Sequence, residues 1–160
     1  RSNPPPRLTE NPSMLKNLLL HPQILHALGR AGHGSKVLIS DGNYPHVTKR
    51  GPNAEVVFLN LAPGVLNATD VLKVLTTAIP IEAAEVMDYA RTGPYALTED
   101  PPIWAEFRSI LQAVRLEGDL RKVERLAFYD AAGTKDVCLT IATGEQRIYG
   151  NLLLTIGVVR

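Results

Sequence analysis

The chain has 160 residues, 45% of them hydrophobic and 21% charged, which suits a single folded domain with one hydrophobic core. Its formal net charge is only +1 and its basic residues are spread out, so the charge gives no reason to expect a nucleic-acid or an anionic membrane partner. No apolar run approaches the roughly 20 residues that a membrane span needs. The single cysteine, Cys138, excludes an intrachain disulfide, and the composition predicts a cytoplasmic protein.

Residues 1–13 differ in composition from the rest of the chain. They contain four prolines, and Leu8 is their only aliphatic side chain. Such a segment cannot bury enough apolar surface to offset the entropy that ordering costs, and it lacks the apolar core of a signal peptide. We therefore expect residues 1–13 to be a disordered tail or a remnant foreign to the fold, and residues 14–160 to form one domain.

The first half of this domain alternates helices and strands in its hydrophobic pattern. A helix is predicted from Pro22, which suits the first helical position, to Ala31. Lys36 to Ser40 is a short apolar run without alternation, as expected of a strand that is buried on both faces. By the same criteria, the next predicted elements are a strand over 55–61 and a helix over 70–78.

Two segments of the second half have an ambiguous pattern. Residues 81–90 have the composition of a helix, although a resemblance that is described below implies a strand in part of them. Residues 122–129 alternate like a strand, although their charges would also allow a helix. We predict a strand for residues 122–129.

The last elements complete an α/β pattern. A helix is predicted over 102–114, because large apolar side chains recur there on one face, which indicates a core or subunit contact. That face consists of Trp104, Phe107, Ile110 and Leu111. Strands over 137–142 and 151–159 follow. The alternation predicts a single three-layer α/β/α domain with a mainly parallel or mixed sheet.

One imidazole and one carboxylate bracket the strand over 36–40. Gly32 and Gly34 let the chain turn tightly at His33, and Asp41 lies just past the carboxyl end of the strand. That end is where α/β sheets tend to place ligand sites, and an imidazole can exchange a proton near neutral pH. The alternative is a purely structural helix end, strand and Asp-Gly-Asn turn. The residues alone leave both interpretations open.

The sequence contains no motif for a metal or a nucleotide cofactor. His21, His26 and His46 have no metal-ligand spacing with a carboxylate cluster or with cysteines. The chain has neither a Walker loop, nor a dinucleotide glycine pattern, nor a Gly-x-Ser-x-Gly elbow. We therefore expect chemistry without a metal and without a cofactor.

Several motifs, in this order and spacing, resemble the fucose mutarotase and ribose pyranase family, also written RbsD/FucU. The resemblance covers Met14 to Val159, and two of the motifs are closer to the fucose mutarotase branch. The motifs are Gly32-His33-Gly34 with Asp41 eight residues after the histidine, Pro102–Phe107, Glu124–Tyr129, Ala142–Glu145 and Tyr149–Leu152. The resemblance also implies a strand near Val86 and Met87, which we favour over the helix, and a native start at Met14.

The resemblance implies roles for eight residues. His33 matches the proton-donating histidine of the family, Tyr129 a second polar group in catalysis, and Glu82 an acidic residue that would serve as a base. Five further residues match positions that bind the sugar or order its site: Asp41, Met87, Arg125, Tyr149 and Asn151. A carboxylate such as Asp41 suits a polyol, because it can accept hydrogen bonds from adjacent hydroxyls.

The implied activity is an isomerase reaction of the racemase and epimerase type, in which the anomers of a free monosaccharide interconvert by acid/base ring opening and closure. L-fucose or a similar 6-deoxy sugar is the expected substrate. The alternatives are a D-ribose pyranase and a non-catalytic monosaccharide-binding protein linked to transport. The resemblance further implies a ring-like homo-oligomer, for example a decamer, in which a neighbour completes each site.

Overall fold

A six-stranded mixed sheet forms the centre of the structure, a computed structural model that describes residues 15–159. The predicted tail over 1–13 and the predicted start at Met14 lie outside the described residues. The strands are β1 (Lys36–Ser40), β2 (Glu55–Phe58), β3 (Ile81–Met87), β4 (Arg121–Val123), β5 (Val137–Ala142) and β6 (Leu152–Ile156). Their order across the sheet is β2-β5-β1-β6-β3-β4.

The direction of the strands determines which loops meet. β1 runs parallel to β5, β5 to β2, and β3 to β4, whereas β6 is antiparallel to both of its neighbours, β1 and β3. The first five strands therefore end at one edge of the sheet, and β6 begins there. At the opposite edge, β1 and β3 begin and β6 ends. Functional side chains that follow β1, β3 or β4 are thus brought together with those that precede β6.

Helices cover both faces of the sheet, because residues of the central strands alternate between two cores. Val37 and Ile39 of β1 are fully buried with α1 (Pro22–Gly29), α2 (Ala68–Leu75) and α3 (Pro102–Ala113). Leu38 points to the other face and shares a second core with Phe128 of α4 (Arg125–Ala132). The predicted three-layer α/β/α architecture with a mixed sheet is confirmed, and so is the buried face of α3, where Trp104 is 0% exposed.

The strand predicted over 122–129 is wrong beyond Val123. The Glu124 carboxylate accepts hydrogen bonds from the backbone N–H groups of Leu126 and Ala127, at 2.8 and 3.2 Å, and so caps a new helix. The helix then places Phe128 and Ala132, four residues apart, in the second core.

Residues 81–87 form a strand, as the resemblance implied, despite their helix-forming composition. β3 is paired on both sides, with β6 and with β4. Tertiary pairing of this kind overrides a weak local preference. Met87 is placed at the carboxyl end of β3, 5% exposed, where the strands end. No helix within residues 15–159 is long and apolar enough to cross a membrane.

Candidate active site

A cavity of about 360 Å³ opens at the edge where β1, β3 and β4 end and β6 begins. This volume lies within the roughly 300–1,000 Å³ that is usual for small-molecule sites. Loop residues after β1 and β3, side chains of α4 and the segment before β6 all contribute to its wall. The lining residues are Asp41, Asn43, Tyr44, Met87, Tyr95, Arg125, Tyr129, Ile148, Tyr149 and Asn151.

Asp41 is the buried carboxylate of the cavity and is held in one orientation by its neighbours. Its Oδ1 accepts the backbone N–H of Asn43 at 3.0 Å, and its Oδ2 accepts the N–H of Gly150 at 3.1 Å and the Asn151 Nδ2 at 3.0 Å. In return, the Asp41 backbone N–H donates to the Asn151 Oδ1 at 2.9 Å. The end of β1 is therefore tied to the start of β6 by two side chains that both line the cavity.

Burial raises the pKa of Asp41 to about 6, and the negative charge of Glu145 adds to this effect. The backbone hydrogen bonds from Asn43 and Gly150 oppose the shift without cancelling it. Because this pKa lies above the roughly 3.9 of an aspartate in an unfolded chain, the folded state holds the proton more tightly. The contribution of Asp41 to the free energy of unfolding therefore falls as the pH rises from about 4 to about 6.

We expect the side-chain carboxyl carbon of Asp41 to titrate in an NMR experiment with a midpoint near pH 6. Asp100 and Asp119 are internal controls, because hydrogen bonds from Lys122 and Arg108, respectively, lower their pKa values. An Asp41→Asn variant identifies the resonance by its absence. A midpoint for Asp41 at or below those of the two controls would contradict the raised pKa.

A tyrosine pair forms one wall of the cavity. The ring centroids of Tyr44 and Tyr129 are 5.6 Å apart, and the Lys49 ammonium lies 5.5 Å from the centre of the Tyr129 ring. The Tyr44 hydroxyl is buried and has no hydrogen-bond partner among residues 15–159. Burial raises the pKa of Tyr44, so this phenol stays neutral. Met87 adds an apolar surface to the same cavity.

Tyr149 enters the cavity from an unusual backbone conformation and is already hydrogen-bonded. Its φ of 59° lies in the left-handed region, where a residue other than glycine is strained. Its hydroxyl donates to the Tyr95 carbonyl and accepts the Ala90 N–H, both at 3.0 Å. Its own carbonyl accepts the indole N–H of Trp104, also at 3.0 Å.

The cavity brings together six of the eight side chains to which the sequence assigned a role. They are Asp41, Met87, Arg125, Tyr129, Tyr149 and Asn151. Four lining residues were missed: Asn43, Tyr44, Tyr95 and Ile148. The first two follow Asp41 directly, so their place after a buried strand was the signal that could have identified them. Tyr95 belongs to a long loop whose path no local pattern predicts.

His33 and Glu82 do not reach the cavity of their own chain. They pair with each other at the opposite edge, where the His33 Nε2 lies 2.9 Å from the Glu82 Oε2. His33 precedes β1 and Glu82 is the second residue of β3, and both strands run toward the cavity. The five residues of β1 alone, at about 3.3 Å each, put roughly 16 Å between the turn that carries His33 and Asp41. The two side chains are 59% and 44% exposed, so they form an acid/base pair on an open surface.

The described residues contain no group of three or more His, Cys, Asp or Glu side chains that could hold a metal ion. Cys138 is a half-buried thiol that donates to the Lys36 carbonyl at 3.3 Å, and burial raises its pKa. The groups that the cavity offers are a carboxylate, two amides, tyrosine side chains and a guanidinium. Such a set can bind a polyol through hydrogen bonds and exchange protons with it.

Comparison with known proteins gives consistent matches along most of the chain. The RbsD / FucU transport protein family matches residues 14–159. The human fucose mutarotase is 37% identical over 145 residues, which are 88% of this chain and 90% of that protein. The fucose mutarotase of Danio rerio is 32% identical over 149 residues, with 88% and 90% covered. The crystal structure of FucU from Bifidobacterium longum has a TM-score of 0.72 at 32% identity, covering 88% of this chain and 95% of that one.

Proposed function

We propose that this chain, which belongs to the RbsD / FucU transport protein family, is a sugar mutarotase whose substrate is L-fucose or a similar free 6-deoxy sugar. Two fucose mutarotases are 32% and 37% identical to it over most of their length. The observation that carries the proposal is the cavity at the carboxyl ends of the strands, which a buried carboxylate and its amide partner line together with four tyrosines. The reaction is an isomerisation of a carbohydrate.

The chemistry requires little more than a positioned acid and a positioned base. One group protonates the ring oxygen while another removes the proton from the anomeric hydroxyl, so the ring opens to the aldehyde. The carbonyl turns and the ring closes on its other face, with the two protons returned. We assign Asp41, Asn151 and Arg125 to the hydroxyls of the sugar and Tyr129 to one of the proton transfers.

The second proton-transfer group is the imidazole of His33, and we propose that a neighbouring copy of the chain supplies it. The roughly 16 Å between His33 and the cavity of its own chain supports this assignment. Glu82 accepts a hydrogen bond from His33 at 2.9 Å, so it orients the ring for a partner on another molecule. A head-to-tail contact of this kind closes into a ring, for which a decamer is one arrangement, and we place the assembly in the cytoplasm.

Two other functions make different demands on the same residues. A D-ribose pyranase would use the cavity to exchange six- and five-membered rings. A monosaccharide-binding protein linked to transport would use Asp41 and Asn151 and have no need of the His33–Glu82 pair. The similarity to two fucose mutarotases over most of their length favours the catalytic protein.

We expect saturation-transfer NMR to show accelerated exchange between the α and β anomers of L-fucose when the protein is added. The same measurement on D-ribose separates anomer exchange from ring-size exchange. A parallel sample with a strong chelator should exchange the anomers equally fast, because protein side chains, Tyr129 and the His33 of a neighbouring copy, supply the acid and the base. Saturable binding of L-fucose without any acceleration would contradict the mutarotase and favour the binding protein.

A further inference from the structure

A loop over residues 88–101, between β3 and α3, carries an aromatic side chain to the mouth of the cavity. Tyr95 is 70% exposed although it lines both the candidate-site cavity and an adjoining one of about 480 Å³. The Leu97 N–H donates to the Ala90 carbonyl at 2.9 Å, which closes the base of the loop. The loop therefore has a defined conformation and presents its large aromatic ring to solvent.

The Tyr149 hydroxyl fastens this loop to the body of the protein. It accepts the Ala90 N–H and donates to the Tyr95 carbonyl, both at 3.0 Å, so it holds the two arms of the loop at once. The residue that carries the hydroxyl is itself firmly placed. The centroids of its ring and the Tyr89 ring are 6.2 Å apart in an edge-to-face arrangement. Its carbonyl accepts a hydrogen bond from the indole N–H of Trp104, which is fully buried.

The strained backbone conformation of Tyr149 indicates that its surroundings hold this residue in place. A left-handed φ in a residue other than glycine costs stability and persists only where the surroundings enforce it. The two loop hydrogen bonds and the Trp104 contact are the interactions that this conformation makes available. Since the hydroxyl proton and one lone pair are already used, only one acceptor position remains for a sugar.

We propose that Tyr95 is a lid that packs on the apolar face of the bound sugar, and that the Tyr149 hydroxyl is the latch that holds this lid in place. The inference deepens the proposed mutarotase function and depends on it for the identity of the sugar. A 6-deoxy sugar presents C–H groups on one face, and an aromatic ring packs well on such a surface while it excludes water. Tyr149 is then a positioning residue that acts through the loop.

The latch is tested without any sugar by amide hydrogen exchange at Ala90. A Tyr149→Phe variant removes the two loop hydrogen bonds and keeps the ring, so exchange at Ala90 should become faster by about tenfold or more. Tyr89→Phe is the matched control, because it removes a neighbouring hydroxyl that takes no part in these two bonds, and it should leave exchange at Ala90 as in the wild type. Unchanged exchange at Ala90 in Tyr149→Phe would overturn the latch.

The lid is tested by the KM for L-fucose in anomer exchange. Tyr95→Ala should raise the KM by roughly 5- to 20-fold with a smaller change in kcat. Tyr149→Phe should raise it as well, and the double variant should be no worse than the more affected single variant, because both changes remove the same lid. Multiplying effects would mean that Tyr149 contacts the sugar independently and would overturn the latch, and an unchanged KM in Tyr95→Ala would overturn the lid. If the wild-type protein did not accelerate the exchange of L-fucose anomers, the proposed function would be refuted. The amide hydrogen exchange at Ala90 would still test the latch in that case.

Discussion

Replacing His33 with alanine should slow the exchange of L-fucose anomers by about 10²- to 10⁴-fold, the usual contribution of a general acid or base. The substitution should leave the fold intact, because the side chain is 59% exposed and its turn is flanked by two glycines. Its side-chain hydrogen bond to Glu82 lies at the surface, where such pairs contribute about 1 kcal/mol or less to stability. Saturation-transfer NMR measures the exchange rate, and thermal unfolding checks the fold.

The chain contains a closely matched control for this variant. His26 is 60% exposed and its Nδ1 lies 3.0 Å from the Glu55 Oε1, so it forms a histidine–glutamate pair much like that of His33. His26→Ala should exchange the anomers at the wild-type rate, because the proposed mechanism uses the imidazole of His33 and gives His26 no part in the reaction. A rate for His33→Ala within a few-fold of the wild type would remove His33 from the mechanism. Equal losses in both variants would indicate a general effect on the fold.

Elements whose hydrophobic pattern is compatible with only one type of secondary structure could be predicted from the sequence. The unbroken apolar run of β1 can only be buried on both faces, and the structure shows Val37, Leu38 and Ile39 fully buried. The position of Asp41 after that run was therefore enough to place it at the edge where sites form. The apolar stripe of α3 is equally direct, since Trp104 and Phe107 lie in the core.

Elements that depend on partners distant in the sequence could not be predicted in this way. β3 is a strand because β4 and β6 flank it, and neither neighbour is visible in its own composition. The start of α4 depends on a single carboxylate, Glu124, which caps the helix after only three residues of strand. In both segments a local pattern was compatible with two structures, and long-range pairing or one cap decided between them.

The arrangement of the candidate site also depends on contacts between residues that are distant in the sequence. Sequence motifs assign His33 and Asp41 to one site, and the parallel strands of the structure place them at opposite edges of the sheet. The path of the loop that carries Tyr95 depends on the hydroxyl of Tyr149, 54 residues further along the chain. The roles assigned to the eight residues stay predictions, and six of the eight side chains line the cavity of the single chain.

Mixing a His33→Ala chain with a Tyr129→Phe chain should restore anomer exchange that neither chain has alone. Each variant keeps the group that the other lacks, and in the head-to-tail contact that we propose, His33 of one copy would lie beside Tyr129 of the next. With equal amounts and random assembly, about a quarter of the contacts would pair an intact His33 with an intact Tyr129. To form mixed assemblies, the two purified variants are dissociated in denaturant, combined and refolded together. Each variant refolded alone is the control.

The assembly itself provides the second measurement for this prediction. Light scattering of the wild type at micromolar concentration should give several times the 17.5 kDa mass of one chain. The surface around the cavity is suited to such a contact, since Ile148, which lines the cavity, is 40% exposed. A fully active monomer would exclude a site shared between two copies, because a monomer has no neighbour to supply His33. It would also exclude His33 from the reaction, since His33 lies roughly 16 Å from the cavity of its own chain. Mixed assemblies of the expected mass that stay inactive would reject the pairing of His33 with Tyr129 and leave the assembly intact.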